Sequence, residues 1–164
     1  MPRGPVKNPK DCHERALGLL AVRPRSRQEL DRRLSAAGFD AQEVSDVLGR
    51  LERVGLIDDR VFAQQLAAHH FENRKSGSWA VAGALANKGV SRAVSDEVLE
   101  GAALADEVRA LELATSKAVR MHALTPEKAY SRLVGLLARR GYGPGIARSA
   151  ARKALDVQGY EDQA

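Results

Sequence analysis

Three groups of residues in this 164-residue chain could do chemistry: four histidines with one cysteine, a glycine-rich run, and a surplus of arginine and lysine. Metal binding or nucleophilic catalysis would need the first group to converge. His69 and His70 are adjacent, so on a helix they diverge and cannot form the i, i+4 pair of a zinc-binding helix. His13 and His122 have no carboxylate or thiol at ligand spacing. Cys12 is a single thiol, which excludes an internal disulfide, fits a reducing cytosol and reads as a small packing residue. Gly141-Tyr142-Gly143-Pro144-Gly145 lacks the lysine and the preceding strand of a phosphate loop, so it reads as an interhelical turn. No Ser-His-Asp, Cys-His or paired-carboxylate set stands out, and the expectation is no catalytic residue, no metal and no cofactor.

The third group carries the information. The formal net charge is +5 and the pI about 9.7, a balance that attracts nucleic acid or an acidic protein. Between Lys117 and Lys153 there are nine basic residues against the single acid Glu127. Between Asp96 and Glu112 the sign reverses, with Asp96, Glu97, Glu100, Asp106, Glu107 and Glu112 against Arg109 alone. The opening third is basic again through Arg15, Arg23, Arg25, Arg27, Arg32 and Arg33. Helix exteriors are commonly charged, but such zoning along a chain can set the register of a partner. Trp79, just after Arg74, Lys75 and Ser78, is either a packing residue between modules or a ring able to stack on a base.

The elements that must position these charges are helical. Hydrophobic residues make up 44% and aromatics only 4%, β-branched runs are scarce, and Ala, Leu, Arg and Glu dominate, which favours helices over a sandwich or barrel. Charged residues interrupt every stretch well short of the roughly 18 apolar residues of a membrane helix. The expectation is a soluble cytoplasmic protein. The N-terminal Met1 to Lys10, with three prolines and three basic residues, reads as a flexible arm.

Sliding the sequence against itself reveals a repeat marked by Gly38, Gly89 and Gly141, which lie 51 and 52 residues apart and are followed by Phe39, Val90 and Tyr142. Four residues before them stand Leu34, Leu85 and Leu137, and eight before stand Leu30, Val81 and Leu133, the buried stripe of a helix. Each glycine then closes a helix in the left-handed conformation. A second helix follows, with stripes Val44, Val47, Leu48 and Leu51, then Val94 and Val98, then Ile146 and Ala150, weakening along the chain. A third segment precedes each pair, over 12–22, 59–73 and 104–123. Ser26 with Glu29, Asp40 with Glu43, Ser91, and Thr125-Pro126-Glu127 supply helix starts. On the helix beginning at Thr125, Tyr130, Leu133, Val134 and Leu137 form the buried face, with Lys128, Arg132 and Arg139 projecting away. The predicted fold is all-α: three tandem three-helix repeats in an elongated, curved helical-repeat protein, with an arm at 1–11, repeats at 12–57, 58–102 and 103–157, and a tail at 158–164.

These residues resemble the RecX family. Pro24-Arg25-Ser26-Arg27-Gln28-Glu29-Leu30 with Leu34, Gly38-Phe39 and Leu51 to Asp59 is similar to its opening repeat. Phe62-Ala63, Arg74, Gly77, Leu85 and Lys88-Gly89-Val90 follow its middle repeat. Arg132-Leu133-Val134 and Leu137-Ala138-Arg139-Arg140-Gly141-Tyr142 follow its last, so the likeness runs from about Cys12 to Leu155. The segment Ser78 to Leu85 departs from the pattern in being nearly uncharged where the family often has a basic helix.

The resemblance implies a monomeric negative modulator of the RecA recombinase that lies in the groove of the RecA filament on single-stranded DNA. It would hinder strand exchange, ATP hydrolysis and co-protease activity, with weak direct DNA binding as a secondary activity. The partner contacts expected on this basis, to filament acids or phosphates, are Arg23, Arg25 and Arg27, then Arg74 and Lys75, then Arg132, Arg139 and Arg140. The alternative is a winged-helix-like DNA-binding transcriptional regulator, suggested by Val44 to Leu51 and Gly55-Leu56-Ile57. That reading requires a β-wing, whereas Asp58-Asp59 and Val61 to Leu66 continue as a helix. A helical scaffold with neither activity is the third class.

Overall fold

The computed structural model describes residues 11–159, so most of the expected arm and tail lies outside the described residues. Helix starts follow from side chains that satisfy otherwise orphaned amides. Asp11 accepts from the Glu14 amide at 2.7 Å and opens α1 (Cys12–Val22). Ser26 and Glu29 form the reciprocal capping box of α2 (Arg27–Ala36). Asp40 opens α3 (Ala41–Arg53), Asp58 opens α4 (Asp59–Asn73), and Gly77 precedes α5 (Ser78–Asn87). Ser91 caps α6 (Arg92–Val98) through the Val94 amide. Next come α7 (Ala102–Ala118), α8 (Pro126–Arg139) and α9 (Pro144–Val157), the last two with proline in the first turn.

Among the described residues there is no strand, so the wing of the transcription-factor reading is missing, and no helix is long and apolar enough to cross a membrane. One expected boundary moves. The segment read as helical over 104–123 stops at Ala118, because Met121 and Leu124 turn inward through bonds to the Ala118 and Met121 carbonyls and pack on the third core.

The three marker glycines all adopt positive φ, at 91°, 74° and 84° for Gly38, Gly89 and Gly141. The next amide in each copy returns to the carbonyl five residues back: Phe39 to Leu34 at 3.3 Å, Val90 to Leu85 at 3.1 Å and Tyr142 to Leu137 at 3.1 Å. The six expected stripe residues on α2, α5 and α8 are all fully buried.

Each trio of helices closes its own core. Cys12, Ala16, Leu30, Leu34, Val44, Leu48 and Leu51 fill the first; Phe62, Ala63, Ala67, Val81, Leu85 and Val90 the second. In the third, α9 buries Ala147, Ala150, Ala151, Ala154 and Leu155 against α7 and α8. The expectation of a weakening stripe at α9 is therefore corrected: small residues bury completely because they let α7 and α9 approach closely. On α8, Ala129 is buried, whereas Tyr130 and Val134 are only partly so.

The trios join through one recurrent seat, in which the C-terminal end of a later helix meets the N-terminal end of an earlier one. At the second junction the Gly77 amide donates to the Arg140 carbonyl at 2.8 Å and the Trp79 amide to the Gly141 carbonyl at 3.2 Å. These bonds satisfy end groups of α5 and α8 at once and oppose their dipoles favourably. A Cβ on Gly141 would overlap the backbone and side chain of Ala80, and one on Gly77 would overlap the Gly141 carbonyl. At the first junction Ser26 Oγ donates to the Lys88 carbonyl, and a Cβ on Gly89 would overlap Gln28. Gly38 meets nothing within 4 Å.

A carboxylate from the next trio completes each seat. The Arg27 amide donates to Asp59 at 2.8 Å, and the Ser78 amide and hydroxyl donate to Asp106 Oδ2 at 3.0 and 2.6 Å. Asp106 is only 1% exposed, so it leaves the acidic surface zone to which the sequence assigned it. Arg109 neutralises it at 2.6 Å while resting 4.2 Å above the centre of the Phe71 ring. Removing either partner would strand a buried charge, at a cost on the order of 3 kcal/mol. The third trio's α8 is one turn longer and starts at Pro126, which has no amide hydrogen.

Glu29 adds an ionic link across the first junction, meeting Arg23 at 2.7 Å and Lys88 at 3.0 Å. Burial alone would raise its carboxyl, but hydrogen bonds from Arg23 and Lys88 outweigh that effect and hold it at about 2, against an ordinary 4.5.

Two outcomes follow from these seats. Gly38→Ala should cost only the left-handed backbone penalty of about 1 kcal/mol, whereas Gly141→Ala should cost about 3 kcal/mol because the seat must also open; urea unfolding of the two variants measures the difference. Because the folded Glu29 carboxyl titrates low, its stabilisation is complete above its ordinary 4.5 and is lost as the pH falls toward 2. Glu29→Gln, which keeps the cap geometry, should lower stability at pH 7 by about 2 kcal/mol and flatten the urea midpoint between about pH 5 and pH 2.

Candidate polyanion-binding face

The eight arginine and lysine positions expected to contact a partner fall into different environments. Arg25 is 7% exposed: its Nε donates to the Leu19 carbonyl at 3.1 Å, and burial, reinforced by Arg23 and Arg33, lowers its pKa. Its side chain holds the α1–α2 turn from within, and the expectation of a surface contact at this position is corrected. Arg27 is partly committed, with Nε on Glu52 at 3.1 Å. Arg23 is tied to Glu29 and to the Pro24 carbonyl at 2.9 Å, and its bond to Glu29 raises its pKa.

The remaining five are exposed, and the fold brings three of them together. Arg74 ends α4, and Arg139 and Arg140 end α8; with His70, Asn73, Ser76 and Ala80 they line an open groove of about 520 Å³. No acid lines this groove. It lies beside the second seat, where Arg140 also donates to the Arg74 carbonyl. Lys75 has φ 51°, unusual for a residue with a side chain, and its carbonyl accepts the hydroxyl of buried Tyr142 at 2.8 Å. Arg132 projects from α8 apart from the groove lining.

A second groove of about 530 Å³ runs along the first junction and contains Arg23, Phe62, Leu66, His69 and Lys88; it shares His70 and Arg74 with the other. A band with cationic residues therefore runs past both junctions. Burial, then the charges of Arg74 and His69, lowers the pKa of His70, leaving it neutral at pH 7. Lys88 was missed as a candidate, although superposing the copies on their glycines places Lys88 opposite Arg140. The acidic zone contracts: besides Asp106, Glu97 pairs with Arg60 at 2.8 Å and Asp96 with Arg92 at 3.6 Å, while Glu100, Glu107 and Glu112 remain exposed.

Comparison with known proteins matches this organisation. A family model described as "RecX, first three-helix domain" fits residues 12–51, and one described as "RecX, second three-helix domain" fits residues 58–99. The Regulatory protein RecX of Corynebacterium efficiens is 36% identical over 152 residues, covering 89% of this chain and 72% of its own length. That of Mycobacterium avium is 42% identical over 134 residues, covering 80% and 77%. The crystal structure of RecX from Lactobacillus salivarius shares the fold with a TM-score of 0.79 at 18% identity, over 89% of this chain and 95% of that one. Both family models coincide with trios closed on separate cores, and the relatives carry the likeness through the third: the chain belongs to the RecX family.

Proposed function

We propose that this protein is a negative modulator of RecA that binds the RecA filament on single-stranded DNA, in its helical groove, and inhibits strand exchange, ATP hydrolysis and co-protease activity. Family membership supports a regulatory role, and the observation that carries the contact model is the gathering of Arg74, Arg139 and Arg140 from two trios into one groove without a lining acid. A row of three modules joined end to end offers several weak contacts at once, and linked contacts bind far more tightly than any one alone. The protein acts by occupying space, as a monomer in the cytoplasm, and no catalytic group or cofactor takes part. Arg23, Arg27, Arg74, Lys75, Arg132, Arg139 and Arg140 are the contact set, and direct contact with DNA phosphates is secondary.

The test uses Arg132→Ala with Arg139→Ala, leaving Arg140 in place because its side chain ties the second junction. Inhibition of RecA-promoted ATP hydrolysis on single-stranded DNA should weaken about five- to tenfold at unchanged helicity, with less sensitivity to added salt. Undiminished inhibition removes the third trio from the contact set. Pull-down of purified RecA should be strongest with nucleotide and single-stranded DNA present; equal capture of unassembled RecA would refute groove binding.

A further inference from the structure

The turn between α4 and α5 bears two of the expected contact residues, Arg74 and Lys75, and its backbone is strained. Lys75 adopts φ 51°, whereas every other described residue with positive φ is a glycine. A side chain there crowds its own backbone, so the turn would form more readily with glycine. The lysine is exposed and stands between Arg74 and Ser76, which line the open groove. Among the described residues no acid pairs with its ammonium. The fold therefore keeps, at the expense of strain, a cation that it does not itself use.

The way this turn is braced differs from its counterpart in the first trio. A shift of 51 residues sets Arg23-Pro24-Arg25 against Arg74-Lys75-Ser76. In the first turn the Pro24 ring fixes φ, and Arg25 closes the turn from within through the Leu19 carbonyl. The second turn has neither device. Its Ser76 amide returns to the His70 carbonyl at 3.1 Å, and further bonds come from the third trio. Arg140 donates to the Arg74 carbonyl, and the Tyr142 hydroxyl donates to the Lys75 carbonyl at 2.8 Å. Tyr142 is 2% exposed, with its ring in the third core. Burial, reinforced by Asp106, raises its pKa and keeps the hydroxyl protonated as a donor. The residues at the same place in the other copies, Phe39 and Val90, have no hydroxyl.

We propose that Lys75 is retained for its ammonium, as a contact to the RecA filament, and that the Tyr142 hydroxyl is its positioning group, so that the third trio sets how the second presents its cations. The proposal rests on the RecA reading and adds to it a buried residue that acts through another.

The test compares inhibition of RecA-promoted ATP hydrolysis on single-stranded DNA with urea unfolding of the same proteins. Lys75→Gly removes the side chain and suits the left-handed backbone, so the urea midpoint should hold or rise while inhibition weakens about fivefold and becomes less sensitive to salt. Lys75→Arg should keep most of the inhibition. Tyr142→Phe leaves the ring in its core and should weaken inhibition about threefold at unchanged helicity. In the Lys75→Gly background it should have no further effect, because the hydroxyl acts through that lysine. An equal loss from Tyr142→Phe in both backgrounds overturns the positioning role, and full inhibition by Lys75→Gly overturns the contact. A parent protein that does not inhibit refutes the RecA reading and this proposal with it, whereas an inhibiting parent with an unimpaired Lys75→Gly variant refutes this proposal alone.

Discussion

Where the last turn of α8 meets the first turn of α5, two main chains touch with no side chain between them, and amides of one helix end bond to carbonyls of the other. Gly141 serves twice at this point. Its positive φ closes α8, and its missing Cβ lets α5 approach. At Gly89 the Ser26 hydroxyl, rather than a backbone amide, bonds the Lys88 carbonyl and the Gln28 side chain lies against the glycine, linking the first and second trios, so separate small cores are chained by helix ends rather than merged into one interior. A core of six to thirteen buried residues is modest, and such modules depend on their neighbours for part of their stability.

Polar groups make the seats specific. Each of α2 and α5 receives a carboxylate from the following trio on its first amide, Asp59 in one case and Asp106 in the other. An anion at a helix start is favourable because the amides there have no partner within the helix. The longer α8 instead starts at Pro126, whose backbone has no amide hydrogen. The geometry that closes each junction also distributes function, since a helix ending in basic residues is brought against the end of α4. Arg74 and Arg140 are 66 positions apart in the chain and share a hydrogen bond in the fold.

The helix starts, the glycine turns and the all-helical class were legible because each is a local property. A capping box needs residues three apart, and a C-terminal glycine needs only its own backbone freedom. The stripe at α9 was underestimated because Ala147, Ala151 and Ala154 carry little hydrophobic signal, although their smallness is what brings the helices together. Arg25 was misplaced for the opposite reason. Its type indicates the surface, but the Leu19 carbonyl needed a donor and the turn enclosed the guanidinium.

By itself, the sequence determined the period of the modules, the ends of their helices, the identity of the stripe that each must bury, and a surplus of positive charge. All of these depend on spacings of a few residues or on composition. Only the tertiary structure decided which charges remain available to a partner. Arg25 and Asp106 are absorbed by groups 6 and 28 residues away, whereas Arg74 and Arg139 line an open groove. The physical reason is that the free energy of a charge depends on its solvent and its counter-ion, and both are set by helices that meet only after the chain has folded.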